Sequence, residues 1–532
     1  MKMKPIRRML VRGLALALVL LCAGCGGKTE TDPTDVSQTE PLTDTAQIRY
    51  NDLRLAYARG DKLDPFLAKT TVNRQLTTLL YDSLFTVDEH FEAKPLLAKE
   101  YSTDGLTVTV SVNSDVRFTD GTYMTTADIL YSFELAKEAD AYKARLQNFE
   151  SASAVGANQL LFTLESPDPN AAACLDFPII KTGTSADDRK KAAEESKQEN
   201  TPKTTDQVLP VGSGRYVLRY EENENDPVLV AYSDRFKGFF PAMSVIHLVN
   251  VTDSSALFYS LEIGNISFAF DDLSGGKYTR VNATISEYPM NNLIYLGMNQ
   301  DDAALANTFV RQAVCAAIDR QDILNVAFQG HATVTHTPFN PLWTAAAEYE
   351  TSHDDSGADA LTILKENGFD KINTYGVRNN GRISMSFDLL VAEDNDFKLM
   401  AAQQIAKKLN ALNIKVRITT LPKQDFLNAV ELGKFDLYIG EISLTPNMNL
   451  DVFFGGSGAA AHGIWNKTAA DAYHEYLAGE MNLDAFMEAF NSDMPFIPLC
   501  YRKGIVASVK ELQGAQQAYV GDLFADIEDW HF

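Results

Sequence analysis

Few side chains in this sequence have the type and spacing needed to make or break bonds. Eight histidines are spread over 532 residues, so occasional close pairs are expected by chance. His474-Glu475 opens like a zinc-protease helix, but no second histidine follows at the spacing that would put both on one face. His331 and His336 lie five apart in a loop-like stretch with no cysteine or second acidic ligand beside them, which is poor chemistry for a metal. Gly456-Ser-Gly458-Ala-Ala-Ala461 lacks the third glycine of a dinucleotide loop and reads as a turn, and no Gly-x-Ser-x-Gly elbow occurs. Cys174, Cys315 and Cys500 are widely spaced and form neither a CxxC nor a disulfide framework. Cys315 falls in an apolar helical pattern, as a small core residue does. The chain does not read as an enzyme, and no cofactor and no metal is expected.

Cys22 and Cys25 stand apart from these. Lys2, Lys4, Arg7, Arg8 and Arg12 precede the apolar run Gly13 to Leu21, and small residues follow, the order of a secretory signal peptide at 1–25. Nine apolar residues fall well short of the roughly 20 that span a bilayer. Cys22-Ala23-Gly24-Cys25-Gly26 resembles a bacterial lipobox, in which two small residues precede a cysteine that takes up diacylglycerol. Cys25 fits that position, whereas Leu20 and Leu21 precede Cys22. A departure is Cys22 itself, which stands where the motif usually has leucine. A plain secretory signal, or a short anchor that stays attached, is the other reading. Each buried CH₂ of an acyl chain stabilises attachment by about 0.8 kcal/mol. Residues 26–46 are rich in Ser, Thr, Asp and Pro and hold almost no large apolar side chains, so they read as a disordered tether holding a folded body off the membrane.

The balance of 47 basic against 71 acidic residues gives −24, and five of the basic residues lie in the leader. A surface this acidic repels nucleic acid and anionic lipid, so no nucleic acid partner is expected and membrane contact runs through the lipid anchor only. Acidity as plain hydration and acidity as a preference for cationic ligands are both compatible with it. The length suits about three domains, and 45% apolar composition is ordinary for a globular chain.

These few reactive groups give no function, so the elements must. Leu106 to Val112 alternates apolar and polar residues as a half-buried strand; Leu160–Leu164, Tyr216–Tyr220 and Ile414–Ile418 are further strands. A helix starts at Thr126. Val310, Ala313, Val314, Ala317 and Ile318 share one helical face, as do Leu399, Ala402, Ile405, Leu409 and Leu412. Asp187 to Asp206 is highly charged and reads as a solvated helix or loop ending one domain. Gly121 suits a tight turn where a side chain would clash, and Gly212 and Gly214 suit a bend needing unusual backbone angles. Asp128 and Asp319 read as capping or pairing residues. Mixed strands and helices over this length indicate an α/β fold with more than one sheet.

From Leu63 to Leu499 the order of motifs resembles the family 5 extracellular solute-binding proteins, the oligopeptide, dipeptide and nickel binders of bacterial ABC importers. Leu63-Asp64-Pro65 and Leu79-Leu-Tyr-Asp-Ser-Leu84 are similar to "LDP" and "LYEGL", with Pro95 to Tyr101 next. Val116-Arg-Phe-Thr-Asp-Gly121 and Thr126-Ala-Asp-Ile-Leu-Tyr-Ser132 match the family's most recognisable block. Pro210-Val-Gly-Ser-Gly-Arg-Tyr216 is similar to "PVGTGPY", and Tyr295 to Asn299 and Val310 to Arg320 match "fNt" and "VRqAiayAiDR". The resemblance implies a class II periplasmic-binding-protein-like fold of two lobes around a central cleft and hinge. It implies three domains: a split domain I (47–72, 206–287 and 499–532), an inserted domain II (73–205) and domain III (288–498). Ligand binding would close the lobes, removing water and strengthening buried hydrogen bonds.

In peptide-binding members a segment like "G-W-x-x-D-Y-x-D-P" pairs its first aspartate with the ligand's α-ammonium. Its counterpart here is Phe435 to Asn449, which puts Leu444 at the aspartate and Glu441 at the tryptophan. A buried ammonium without a carboxylate costs several kcal/mol. Two readings of Glu441 stand: it supplies the charge from the neighbouring position, or it is a structural residue at the cleft edge. Thr70, Thr71, Tyr438, Ser443, Thr445 and Asn447 are the other candidate contacts. The resemblance implies a monomeric, lipid-anchored, extracytoplasmic receptor that binds a peptide and delivers it to ABC permease subunits. Alternatives are a receptor for a metal chelate, sugar derivative or opine, or a surface sensor without transport.

Overall fold

The computed structural model describes residues 52–188, 209–220, 226–251, 254–352, 359–455, 458–515 and 517–532. The expected signal peptide at 1–25, Cys25, the tether at 26–46, and 189–206 of the charged segment lie outside the described residues, as do Gly456 and Ser457.

Two long strands, Thr284–Met298 and Phe496–Ser508, run antiparallel through the centre of an eleven-stranded mixed sheet. Beyond Thr284–Met298 lie Leu437–Ser443, Ser386–Ala392 and Lys415–Leu421, the half that belongs to the C-terminal lobe. Beyond Phe496–Ser508 lie Phe268–Asp271, Arg54–Tyr57, Val245–Asn250, Val228–Ala231 and Tyr216–Arg219, the half that belongs to the N-terminal lobe. The register between the two long strands shifts between Pro289 and Leu293 and again between Ile294 and Tyr295. Proline has no N–H to give the ladder, so a break beginning at Pro289 is expected. Met290, Asn291 and Asn292 leave the pairing with Phe496–Ser508 where the sheet passes from one lobe to the other.

Alternation along Thr284–Met298 supplies two cores at once. Ile294, Leu296 and Met298 join Val310, Leu389 and Ile405 in one cluster. Leu293 and Tyr295 join Phe339, Tyr438, Phe453 and Phe496 in another. A strand covered on both faces reads as a continuous apolar run, as Leu293 to Leu296 does. In the N-terminal lobe Leu55, Leu79, Tyr216, Phe268 and Trp530 pack together. A separate four-stranded antiparallel sheet, Ala98–Thr103, Thr107–Val112, Gln159–Leu164 and Phe149–Gly156, is covered by helix Thr126–Glu138, with Phe133, Phe149, Phe162 and Phe177 between them. Val108 and Val110 of the predicted alternating strand are fully buried there. The two predicted helical faces lie on Thr308–Ala317 and Asp396–Ala411, with Ile318 and Leu412 as the capping residues just beyond.

The glycines act through space more than through angles. A Cβ at Gly212 would lie 2.0 Å from Leu80 O, and one at Gly214 would lie 2.4 Å from the Leu80 carbonyl carbon. Neither has a positive φ, so the Pro210–Tyr216 block approaches the end of helix Thr71–Leu80 closely instead of bending unusually. Gly121 sits in the expected tight turn, but it is needed for its angle and not for space: its φ is +84° and the space around it is open. Three glycines face tyrosines across the central strands, Gly297 opposite Tyr438, Gly440 opposite Tyr295 and Gly504 opposite Tyr288. Added Cβ atoms would sit 2.1 to 2.3 Å from the facing rings. The Tyr295 and Tyr438 hydroxyls meet at 3.1 Å.

Asp128 belongs to a capping box with Thr125, and its other oxygen accepts from Thr182 N and Oγ1, each at 2.8 Å. Asp319 caps helix Arg320–Val326 and pairs with Lys408 at 2.9 Å. Cys174 and Cys500 are buried, Cys315 is half-buried, and none is in a disulfide among the described residues. Arg311, from the "VRqA" motif, is 1% exposed. Its guanidinium donates to the carbonyls of Leu305, Asp493 and Met494 and to Asp493 Oδ1 at 3.0 Å, satisfying the end of helix Leu483–Asp493. Met494 leaves that helix in the left-handed region, so its last carbonyls need such a donor. Arg311→Met would strand the Asp493 carboxylate in the interior. The expected loss is about 3–5 kcal/mol, read as a lower urea midpoint with an unchanged slope.

Candidate functional site

A cavity of about 690 Å³ opens where the sheet changes register. Helix Thr71–Leu80 presents Thr71, Arg74, Gln75 and Thr78 to it, because those positions recur on one helical face. The following residues Tyr81, Asp82, Ser83 and Phe85, with Tyr142, Arg145, Asp176, Arg215, Arg235 and the C-terminal stretch Tyr519 to Leu523, complete the N-terminal-lobe wall. Tyr288, Met290, Asn292, Asp272 and Ser443 close it on the hinge side. The side chains of the displaced segment therefore become part of the site.

Of the residues expected to contact ligand, Thr71 and Ser443 line this cavity. Thr70 caps the helix instead, accepting from Asn73 N at 3.3 Å, while its own N and Oγ1 donate to Asp61, each at 2.7 Å. Tyr438 and Leu444 are buried in the C-terminal lobe's aromatic cluster. Asn291 donates to the carbonyls of Leu444 and Thr445, both at 3.2 Å, and fixes that turn. Asn447 reaches the other lobe: its Nδ2 donates to Asp168 Oδ2 at 2.6 Å, with both residues buried. Burial raises the Asp168 carboxyl above its ordinary range, against the opposing hydrogen bonds from Asn447 and Asn170 N. Phe91 makes a second interlobe contact. It holds a φ of +58° in the turn between strands Phe85–Val87 and Ala93–Pro95, and it is 4% exposed within the C-terminal lobe's aromatic cluster. A left-handed phenylalanine costs about 1–2 kcal/mol, which this burial offsets.

Sequence reasoning missed the charged wall. Arg215 was visible as a departure, since the family pattern has proline before the tyrosine where this chain has arginine. It pairs with Asp522 at 2.6 Å and donates to Phe524 O at 2.7 Å, pinning the C-terminal stretch. Asp82 stood in the "LYDSL" motif at the glutamate position, but nothing in the sequence linked it to Arg235, 2.7 Å away. His331 and His336 pair with Glu287 and Glu350. Among the described residues no group of three or more His, Cys, Asp or Glu side chains is placed to hold a metal.

Glu441 lies between two cations, 2.7 Å from Lys398 Nζ and 2.6 Å from Arg502 Nε, and accepts from Asn292 Nδ2 at 3.1 Å. Burial alone would raise its pKa; the Lys398 and Arg502 charges and their hydrogen bonds outweigh that and hold it down to about 2. A carboxylate neutralised twice has little attraction left for a ligand ammonium. Because its folded pKa is depressed, its stabilisation is present above about 4.5 and is lost as the pH falls towards about 2. Urea unfolding of wild type and Glu441→Gln should differ most near neutrality, by about 3 kcal/mol. That difference should shrink steadily through this acidic window, and a pH-independent difference would refute the charge assignment.

The profile of the bacterial extracellular solute-binding proteins, family 5 Middle, matches residues 92–461. The oligopeptide-binding protein AppA of Bacillus subtilis (strain 168) is 22% identical over 562 residues, covering 100% of this chain and 99% of that protein. Among solved structures, the periplasmic murein tripeptide binding protein MppA, in an unliganded open form, has a TM-score of 0.70 at 16% identity, covering 90% of this chain and 97% of that one. NikA from Brucella suis, in complex with Fe(III)-EDTA, has a TM-score of 0.64 at 16% identity, covering 90% and 99%. With the profile spanning well over half its length, the chain belongs to the bacterial extracellular solute-binding proteins of family 5.

Proposed function

We propose that this protein is the peptide receptor of an ABC importer, held at the outer face of the cell membrane through a lipid on Cys25, and that it works as a monomer. The observation that carries the ligand class is the sign balance of the cavity. Arg74, Arg145, Arg215 and Arg235 share its wall with Asp82, Asp176, Asp272, Asp522 and Glu528, and no lysine or histidine is among its described lining residues. A wall with four cations and five anions suits a ligand that itself carries both signs, as a peptide does, better than a polyanionic chelate. The volume falls in the roughly 300–1,000 Å³ range of ligand pockets, which suits a short peptide. AppA of Bacillus subtilis, named as an oligopeptide-binding protein and matched along nearly its whole length, supports the same ligand class. The Asp168–Asn447 hydrogen bond and buried Phe91 supply contacts that lobe closure would make and opening would break.

Calorimetric titration of the folded body with short peptides is expected to give saturable heat. Heat only with a metal chelate, a sugar derivative or an opine would replace the peptide with that class. Asn447→Leu removes the interlobe donor and should weaken peptide affinity about tenfold or more. Small-angle scattering of the liganded variant should show a larger radius of gyration. An affinity loss without expansion would make Asn447 a direct ligand contact instead. Cys25→Ser should release the protein from membranes into the medium or periplasm.

A further inference from the structure

Near its C-terminus the chain makes a tight turn that borders the cavity. Tyr519 N donates to Asp522 O at 3.0 Å, and Asp522 N returns a bond to Tyr519 O at 3.1 Å, which leaves Val520 and Gly521 at the tip. Gln75 of helix Thr71–Leu80 holds the turn at two points. Its Nε2 donates to Val520 O at 3.1 Å, and its Oε1 accepts from Leu523 N at 3.1 Å. Asp522 Oδ1 accepts from Thr78 Oγ1 at 3.0 Å and Oδ2 from Arg215 Nη2 at 2.6 Å. Arg215 also donates to Phe524 O at 2.7 Å. The family pattern has proline at that position, and a proline side chain carries no donor for either acceptor. A loop tied down in this way is pre-organised for whatever it meets.

Those bonds engage both oxygens of Asp522 inside the wall, so the tip offers a ligand shape in place of charge. Val520 and Gly521 both line the cavity and both are accessible, with Val520 41% exposed. An apolar side chain exposed among arginines and aspartates gives an apolar group of the ligand a surface to rest on. Gly521 leaves room beside it. Its φ lies outside the left-handed region, and a Cβ built on it meets nothing within 4 Å. Gly121 is needed for its angle, and Gly212 and Gly214 for their close neighbours; at Gly521 neither reason applies. What its missing side chain provides is free space at the cavity wall.

We propose that the tip Val520–Gly521 is a size-determining subsite for an apolar side chain of the bound peptide, an assignment that rests on the peptide-receptor reading. Val520 is the wall of that subsite, and the space over Gly521 sets how large a side chain it takes. Arg215 and Gln75 are positioning residues that hold the turn.

A pool of random-sequence peptides, from tripeptides to nonapeptides, is offered to the protein, and the retained set is identified by native mass spectrometry with fragmentation. Gly521→Phe fills the space without a strained angle. It should weaken the peptide that wild type retains most strongly about tenfold or more and shift the retained set towards smaller side chains. Val520→Ser, at an exposed position, should remove the preference for an apolar side chain. Arg215→Ala should admit larger side chains; a lower urea midpoint with the wild-type set retained would overturn its positioning role. Gly521→Phe binding the wild-type peptide within about twofold, or Val520→Ser keeping the wild-type preference, overturns the subsite and leaves the receptor reading standing. If wild type retains no peptide from the pool, the receptor reading falls, and the subsite with it.

Discussion

The antiparallel ladder between Thr284–Met298 and Phe496–Ser508 joins the two lobes, and it breaks register where the chain passes between them. A backbone ladder resists stretching because every bond in it is repeated by its neighbours. A bulge concentrates bending in the few residues that leave the ladder. Here those residues begin at Pro289, which cannot donate, and the side chains they turn outward, Met290 and Asn292, face the cavity. One local defect thus interrupts the central ladder and supplies one wall of the cavity beside it.

Charge follows the same geometry. Buried ions on the C-terminal side are fully matched: Glu441 has two cations, and Arg311 finds carbonyls and the Asp493 carboxylate. Such groups hold strands and helix ends in fixed places and are poor ligands because nothing of their charge is left over. On the N-terminal side the matching is incomplete, with single contacts where double ones are possible.

Much of the framework was legible in the sequence because it depends on local pattern. The alternation at Thr107–Val112 and the helical faces at Thr308–Ala317 and Asp396–Ala411 could be read from period alone. The glycine motifs were recognised, but Gly212 and Gly214 were given the wrong reason, since close approach to Leu80 depends on a helix more than 130 residues away in sequence. The site was harder to read for the same cause. Asp82 with Arg235 and Arg215 with Asp522 are pairs between distant stretches, and no spacing rule connects them. Alignment to a family motif located the turn from Leu444 to Asn447 but not its job. In this chain that turn is held by Asn291 and reaches Asp168 on the opposite lobe.

The glycine–tyrosine couples at 297 and 438, 440 and 295, and 504 and 288 bear on how the protein can drift. In each, a ring occupies the volume a Cβ would need. Changing the glycine first drives a methyl into an aromatic face; shrinking the tyrosine first leaves a hole in a close-packed interior. Either single step is penalised, so substitutions at these positions should be inherited in pairs. Descendants of this chain would carry both partners of a couple or neither.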